Sequence, residues 1–383
     1  VSILTGGPGT GKTTTLRTLI TALKATGYDF KLASPTGRAA KRLSQATLHP
    51  ASTIHRMLGY NPDEGFSYGA TEPLDTQFVI IDEASMLDIR LFHALLQAIE
   101  PGTHLLLVGD VDQLPSVGPG DVLRDLIRSQ ICPVTRLNVI FRQEEGSRII
   151  LNAHRINRGE QPILDNQGHD FFFFGKEAPQ EAAELLVDIV KNRIPEKFGY
   201  DPINDIQVLS PMYRTPIGVD ELNIALQEQL NPPGNRAEQR FGKRLYRVGD
   251  KVIQTRNNYE KNVFNGDIGT IHSFDFEKKT IQVLIDGNAV EYSWYDMDEL
   301  SLAYACTVHR AQGSEYPVVV FPVVTQHFMM LQRNLLYTAV TRAQKMVVLV
   351  GTRQAISIAV KNDQIAKRWS ALDWRLIRLL DGI

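Results

Sequence analysis

Val1-Ser2-Ile3-Leu4-Thr5-Gly6-Gly7-Pro8-Gly9-Thr10-Gly11-Lys12-Thr13-Thr14 opens the chain and decides how the rest is read. An apolar run from Val1 to Leu4 gives a buried strand. The glycines at 6, 7, 9 and 11 then let backbone N–H groups turn inward without a Cβ in the way. A helix starting at Lys12 adds the positive end of its dipole, which favours an anion at that place. This is a complete phosphate-binding loop. Within it Lys12 reaches the β- and γ-phosphates, and the Thr13 hydroxyl is a ligand for Mg²⁺. The contact set is Gly6, Gly7, Pro8, Gly9, Thr10, Gly11, Lys12, Thr13 and Thr14. The competing reading, a glycine-rich turn matching by accident, would not need a strand before it and a helix after it.

Working outward, the next informative stretch is Phe78-Val79-Ile80-Ile81-Asp82-Glu83, a buried parallel strand ending in two carboxylates. Asp82 is placed to hold Mg²⁺ through water or Thr13, and Glu83 to orient and deprotonate an attacking water. A helix N-cap is the alternative use of such a pair. His104 to Val108 is a further strand, delivering Gly109-Asp110-Val111-Asp112-Gln113-Leu114-Pro115. The Gln113 amide, donor and acceptor at once, can sense a γ-phosphate. Phe30 to Ala33 is a strand leading into Pro35-Thr36-Gly37-Arg38, a turn followed by a basic helix face. Ser52-Thr53-Ile54-His55-Arg56 brings hydroxyl, imidazole and guanidinium groups suited to phosphate contacts. Tyr60 to Asp75 reads as a surface loop or small hairpin.

The chain has 383 residues, 43% of them hydrophobic, enough for two or three domains with real cores. Lys+Arg 41 against Asp+Glu 43 gives a formal charge of −2, so bulk charge points to no polyanion and any basic surface must be local. Cys132 and Cys306 stand far apart, which disfavours a disulfide framework or zinc site and suits a reducing, cytoplasmic setting. There is neither a membrane-length apolar run nor a signal-peptide pattern. The sequence begins on a core strand without Met, as expected of a fragment.

In the second half, Phe171 to Phe174, Ile206 to Ser210 and Met346 to Gly351 read as strands of a second α/β layer lacking a glycine loop. Between Asn231 and about Glu299 the pattern changes to short alternating strands with Gly-Asn and Gly-Asp turns, which suits a small inserted β-barrel. There Arg256, Asn257, Asn258 and Tyr259 mix cation, amide and aromatic groups, as a nucleic-acid strand or an ordinary polar barrel loop would.

Taken in order, Gly6 to Thr13, Pro35 to Ala40, Thr53 to Arg56, Asp82 to Ser85 and Gly109 to Pro115 resemble the motifs of superfamily 1 DNA helicases, with the RecD-like, 5′ to 3′ branch the nearest likeness. Ile140-Phe141-Arg142-Gln143, Ala303 to Glu315 and Leu336 to Ala343 resemble the later motifs of that family. Arg310-Ala311 stands where many relatives carry Lys-Ser, and the adenine-contacting segment that the family places before the glycine loop has no counterpart in the sequence.

The resemblance implies an α/β fold of two RecA-like P-loop lobes with parallel sheets, clamping one ATP with Mg²⁺ and holding single-stranded DNA. The expected domains are 1–139 with a hairpin insert at about 60–75, then 140–234 with 300–383, and an inserted Src-homology-3-like barrel at 235–299. Arg142 and Arg342 are the expected arginine fingers. Phe141 is an adenine-stacking ring or a core residue, and Gly313 and Glu315 lie beside the nucleotide by the resemblance. DNA grip is expected from Pro35, Thr36, Arg38, Thr53 and His55 on one lobe and from Arg256, Asn257, Asn258, Thr307 and His309 on the other. The implied activity is ATP-driven 5′ to 3′ translocation and unwinding of forked duplex by a monomeric motor, with a place in DNA repair or recombination complexes. Two readings stand beside it: a DNA-stimulated ATPase subunit of a larger assembly, and the helicase segment of a conjugative relaxase.

Overall fold

The computed structural model describes residues 1–139, 146–364, 368 and 370–380. The described residues of 1–145 and 364–383 form one compact unit and those of 146–363 another.

In the first unit the strands are β1 (Ser2–Gly6), β2 (Phe30–Ser34), β3 (Ala51–Thr53), β4 (Tyr60–Asn61), β5 (Gly65–Phe66), β6 (Phe78–Ile81), β7 (His104–Gly109) and β8 (Val134–Leu137). Six of them make one parallel sheet in the order β3-β2-β6-β7-β1-β8, and β4 pairs with β5 as a separate antiparallel hairpin. Alternation along each strand sends Ile3, Val79, Ile81, Leu105 and Leu107 to one face and Leu4, Ile80 and Val108 to the other. Helices α1 (Lys12–Ala25) and α2 (Gly37–Thr47) cover the second face through Leu16, Ile20, Leu23 and Leu43. Helix α3 (Ile54–Met57), α4 (Ile89–Gln97) and α5 (Val122–Ser129) cover the first through Ile54, Phe92, Leu95 and Leu123. Coverage on both sides is why these strands read as unbroken apolar runs.

The second unit carries β9 (Phe171–Gly175), β10 (Ile206–Ser210), β11 (Glu238–Phe241), β12 (Arg244–Arg247), β13 (Lys251–Gln254), β14 (Ile268–Asp275), β15 (Thr280–Ile285), β16 (Asn288–Ser293), β17 (Leu300–Leu302), β18 (Ala305–Thr307), β19 (Tyr316–Val323) and β20 (Ala343–Gly351). A parallel sheet in the order β18-β10-β19-β20-β9 is flanked by α6 (Arg148–Asn157), α7 (Pro179–Asp188), α8 (Ile194–Phe198), α9 (Val219–Leu230), α10 (Arg333–Thr341) and α11 (Arg353–Lys361). Between α9 and β18 lie the hairpin β11-β12 and an antiparallel sheet in the order β16-β15-β14-β13-β17. Asp250, fully buried, ties this insert to its host. Its carboxylate accepts from Gln227 Nε2 at 2.6 Å, Asn231 Nδ2 at 2.7 Å, Tyr304 Oη at 2.9 Å and the Arg247 N–H at 2.7 Å. Burial still outweighs those donors and pushes the Asp250 carboxyl up.

The second sheet's central strand, β19, is absent from the sequence reading. Pro317 and Pro322 interrupt its valine run, and proline removes a ladder donor. The assignment of 300–383 to a single second lobe is corrected at its end. Helix α12 (Leu372–Leu380) belongs to the first unit, with Leu372 and Leu376 against the core that contains α5. Arg368 Nη1 donates to Ser116 Oγ at 3.2 Å and to the Gly118 and Gly120 carbonyls at 2.6 and 2.9 Å, while Ser370 Oγ donates to Asp125 Oδ2 at 2.7 Å. Arg368→Ala is expected to cost about 1.5 to 3 kcal/mol by removing one charged donor from these acceptors, read as a lowered midpoint in urea denaturation.

Candidate nucleotide site and nucleic-acid contacts

Because the first sheet is parallel, the segments that follow its strands share one edge. These are the glycine loop after β1, Pro35-Thr36 after β2, Thr53 at the end of β3, Asp82-Glu83 after β6 and Asp110 after β7. Ligands of open parallel sheets bind at that edge.

The loop is built as its glycines require. Gly9 and Gly11 have φ of +72° and +87°, and a Cβ on Gly6 would lie 2.6 Å from Thr10 Oγ1. Thr10 Oγ1 donates to the Gly7 carbonyl at 2.8 Å. Lys12 Nζ folds back over the loop, donating to the Gly6 and Gly7 carbonyls at 2.6 and 3.0 Å. No side chain caps α1, so its first-turn N–H groups are available to phosphate oxygens. Thr13 and Thr14 are exposed in that turn.

Asp82 and Glu83 are half-buried at the end of β6. The Glu83 N–H donates to Asp82 Oδ1 at 2.9 Å, and Glu83 itself sits at φ +53°, ψ +40°. A left-handed glutamate is strained, as functional residues can be. Burial, and then the Glu83 carboxylate, push the Asp82 carboxyl up to about 6, against the backbone N–H, Arg42 and Lys12, which pull it down. A hydroxyl on Thr13 and a carboxylate on Asp82 are hard oxygen donors, the set that suits Mg²⁺.

Gln113 is buried, and its Nε2 donates to Asp110 Oδ2 at 3.2 Å. The same carboxylate accepts the Asp112 N–H at 3.1 Å, and Arg124 Nη2 donates to the Val111 carbonyl at 2.7 Å. Since a carboxylate only accepts, the orientation of the Gln113 amide follows from this bond. Asp110 thus holds the Gln113 amide, and Arg124 pins the Val111 carbonyl of the same loop, two roles that the sequence reading did not assign. The Asp-x-x-Gln spacing was the signal for Asp110.

Thr36 and Thr53 are helix N-caps, accepting from the Ala39 and Arg56 N–H groups at 3.3 and 3.1 Å. Pro35 and Arg38 flank Thr36 half-buried. His55 lies edge-on to Tyr60 at 5.3 Å and tilted on Phe66 at 5.7 Å, so the β4-β5 hairpin packs on it. Burial lowers the His55 pKa, with Asp88 opposing, and leaves a neutral imidazole for hydrogen bonding.

In the second unit the expected residues separate. Gly313 (φ +73°) and Glu315 precede β19, and Arg342 precedes β20. Arg342, 3% exposed, donates from Nη1 to the Ser314 carbonyl at 3.2 Å, and Glu315 Oε2 accepts from Gln344 Nε2 at 3.2 Å. These three residues therefore share the sheet's starting edge. Thr307 ends β18, where it pairs with Ser210, two residues beyond the pairing of Val208 with Val320. That is the opposite edge, about 20 Å away at the rise of a β-strand. Thr307 Oγ1 accepts the Arg310 N–H at 3.2 Å, and His309 follows half-buried.

In the insert, Gln254, Arg256 and Asn258 converge on the buried Glu299, at 2.8, 3.2 and 3.2 Å. Arg256 also pairs with Asp298 at 3.1 Å. Asn258 Oδ1 accepts the Lys261 N–H at 3.0 Å, and Asn257 Oδ1 accepts the Asn265 N–H at 2.9 Å. All three side chains organise their own loop. Phe141 and Arg142 lie outside the described residues.

Comparison with known proteins gives this geometry a family. Residues 1–119 match the family described as an AAA domain, 222–284 the ATP-dependent RecD-like DNA helicase SH3 domain, and 302–350 the UvrD-like helicase C-terminal domain. The chain is 37% identical over 371 residues to the ATP-dependent RecD2 DNA helicase of Deinococcus radiodurans, covering 97% of itself and 50% of that protein. It is 30% identical over 421 residues to the RecBCD enzyme subunit RecD of Mycobacterium tuberculosis, covering 98% of itself and 70% of that subunit. A structure of Pif1 helicase from Bacteroides in complex with ADP-AlF3 and ssDNA shares the fold at 18% identity and a TM-score of 0.56, covering all of this chain and 94% of that one. With its nucleotide-binding loop, acidic strand end and Gln113 loop on one edge of a parallel sheet, the chain belongs to the RecD-like branch of the superfamily 1 DNA helicases.

Proposed function

We propose that the chain is an ATP-driven motor that moves 5′ to 3′ along single-stranded DNA and parts forked duplex. The observation that carries this reading is the convergence of Lys12, Asp82, Glu83 and Gln113 on one sheet edge in a chain of this family. Residues 1–139 act as a first RecA-like lobe, with the β4-β5 hairpin as a wedge. Residues 140–234 with 300–363 act as a second, carrying a small SH3-like barrel at 235–299.

Backbone N–H groups of Gly7 to Thr13 and the Lys12 ammonium bind the phosphates of ATP. Thr13 and Asp82 hold Mg²⁺, which when bound neutralises phosphate charge. Glu83 takes a proton from the attacking water, with Gln113, held by Asp110, beside the γ-phosphate. Arg142 and Arg342 neutralise charge as the phosphoryl group transfers. Gly313 and Glu315 line the nucleotide, with Phe141 against the adenine. Thr36, Thr53, His55, Thr307 and His309 contact the DNA backbone, so the grip is tolerant of sequence and sensitive to salt. Glu83→Gln is expected to lower turnover by about 10² to 10⁴ with ATP still bound, the contribution of one general base. Single-turnover hydrolysis beside fluorescent-nucleotide binding reads both quantities.

The decisive experiment measures ATP turnover with and without single-stranded DNA, then strand displacement on duplexes with 5′ or 3′ overhangs. Stimulation with displacement from the 5′ overhang supports the proposal. Turnover indifferent to DNA overturns it. A second reading, a motor subunit that needs partners to separate strands, is favoured by the likeness to a RecBCD subunit. Stimulated turnover without displacement by the isolated chain would select it.

A further inference from the structure

The sequence placed the insert's DNA grip on Arg256, Asn257 and Asn258, yet those side chains are engaged by Glu299, Asp298 and their own loop. Among the described residues, cations not held by a carboxylate lie elsewhere on the same insert, Arg244 among them donating to the Leu300 carbonyl at 3.3 Å and to its neighbour Tyr246. Arg240 on β11, Lys243 in the turn and Arg244 on β12 line an open pocket of about 750 Å³ together with Phe241, Trp294 and Tyr295. All three cations are exposed, and among the described residues neither Arg240 nor Lys243 has an ion pair. The Asp298 carboxylate beside them is already held by Arg256. A chain of net charge −2 thus concentrates positive charge at one hairpin tip.

The aromatic groups there differ in exposure. Trp294 is fixed by edge contacts with Phe241 at 5.6 Å and Phe276 at 6.2 Å. Tyr295, next to it, is 91% exposed, so its ring face is open to a stacking partner. Flat rings beside cations are the chemistry of an unstacked base with its phosphate.

We propose that this pocket is a second anchoring site for single-stranded DNA, with a base against Tyr295 and phosphates against Arg240, Lys243 and Arg244. It rests on the reading of the chain as a single-strand motor. It also relocates the insert's grip from the Arg256 loop to the β11-β12 hairpin.

The test uses the full chain, labelled oligo-dT and fluorescence anisotropy across a salt series, with bromodeoxyuridine photocrosslinking mapped by mass spectrometry. Tyr295→Ala is expected to weaken binding about fivefold to a hundredfold, as for one stacked base. Arg240→Ala with Lys243→Ala should flatten the plot of log K against log salt by roughly 0.7 for each cation removed, while Lys243→Arg keeps the wild-type slope. Crosslinks should fall on Tyr295 or Trp294. Wild-type affinity and slope in these variants, with DNA-stimulated turnover intact, would overturn the pocket alone. A wild-type chain that binds no oligonucleotide would overturn the motor reading with it. Crosslinks confined to other segments, together with equal displacement of the probe by an acidic peptide, would reassign the pocket to a protein partner.

Discussion

ATP turnover by the Lys12→Ala variant is expected to fall about a thousandfold or more, since removing even one neutral transition-state donor typically costs 10² to 10³ and Lys12 carries a full charge. The reason lies in where the ammonium is held. Lys12 Nζ bridges the Gly6 and Gly7 carbonyls at 2.6 and 3.0 Å, over the concave side of the loop, where phosphates would meet it. The loop geometry itself depends on Gly9, Gly11 and the Thr10 hydroxyl, so it survives the substitution. Alanine is also a better helix former at the first position of α1. Folding should therefore be unchanged in a thermal melt. Lys12→Arg is not expected to rescue, because a planar fork is a poor substitute for a compact ammonium between two carbonyls. Turnover within tenfold of wild type in Lys12→Ala would remove this loop from the chemistry.

Much of that site was legible because local rules govern it. A positive φ demands glycine, a parallel strand demands an apolar run, and both are written in consecutive residues. The identities of Asp82, Glu83 and Gln113 were readable for the same reason. Their orientations were not. The left-handed Glu83 precedes a turn packed tightly against the end of β7, where a Cβ on Gly109 would stand 3.1 Å from the Ser85 nitrogen, a contact far apart in sequence.

Legibility failed where a contact spans the chain. The carboxylate that engages Arg256, Glu299, lies 43 residues away and could not be read from the Arg256 stretch itself. Helix α12 followed the second lobe in sequence but packs in the first unit, since Arg368 finds its acceptors about 250 residues upstream. Thr307 and Arg342 belong to neighbouring motifs on the page, and only strand register places them at opposite edges of one sheet. That separation matters for function. On the proposed reading, with Arg342 serving the nucleotide at one edge and Thr307 the nucleic acid at the other, the sheet between them would convey a nucleotide-dependent displacement.

Arg342 is where that coupling is tested most severely. Arg342→Ala is expected to reduce DNA-stimulated turnover by about 10³ to 10⁵, the range for an arginine finger. Its side chain is 3% exposed, its Nη1 serves the Ser314 carbonyl, and its own carbonyl accepts the Tyr316 N–H at 2.9 Å. Alanine would leave a buried carbonyl short of a donor, so loss of activity alone could be loss of structure. Arg342→Lys separates the two causes. Lysine fills most of the space and keeps the charge, but it lacks the planar fork that can serve Ser314 and a phosphate together. The expected result is a lysine variant that melts near wild type, binds fluorescent nucleotide and single-stranded DNA, and still fails to turn over. Should Arg342→Lys keep wild-type DNA-stimulated hydrolysis, Arg342 is a structural pin for the turn at Ser314, and the transition-state charge must be met by another residue.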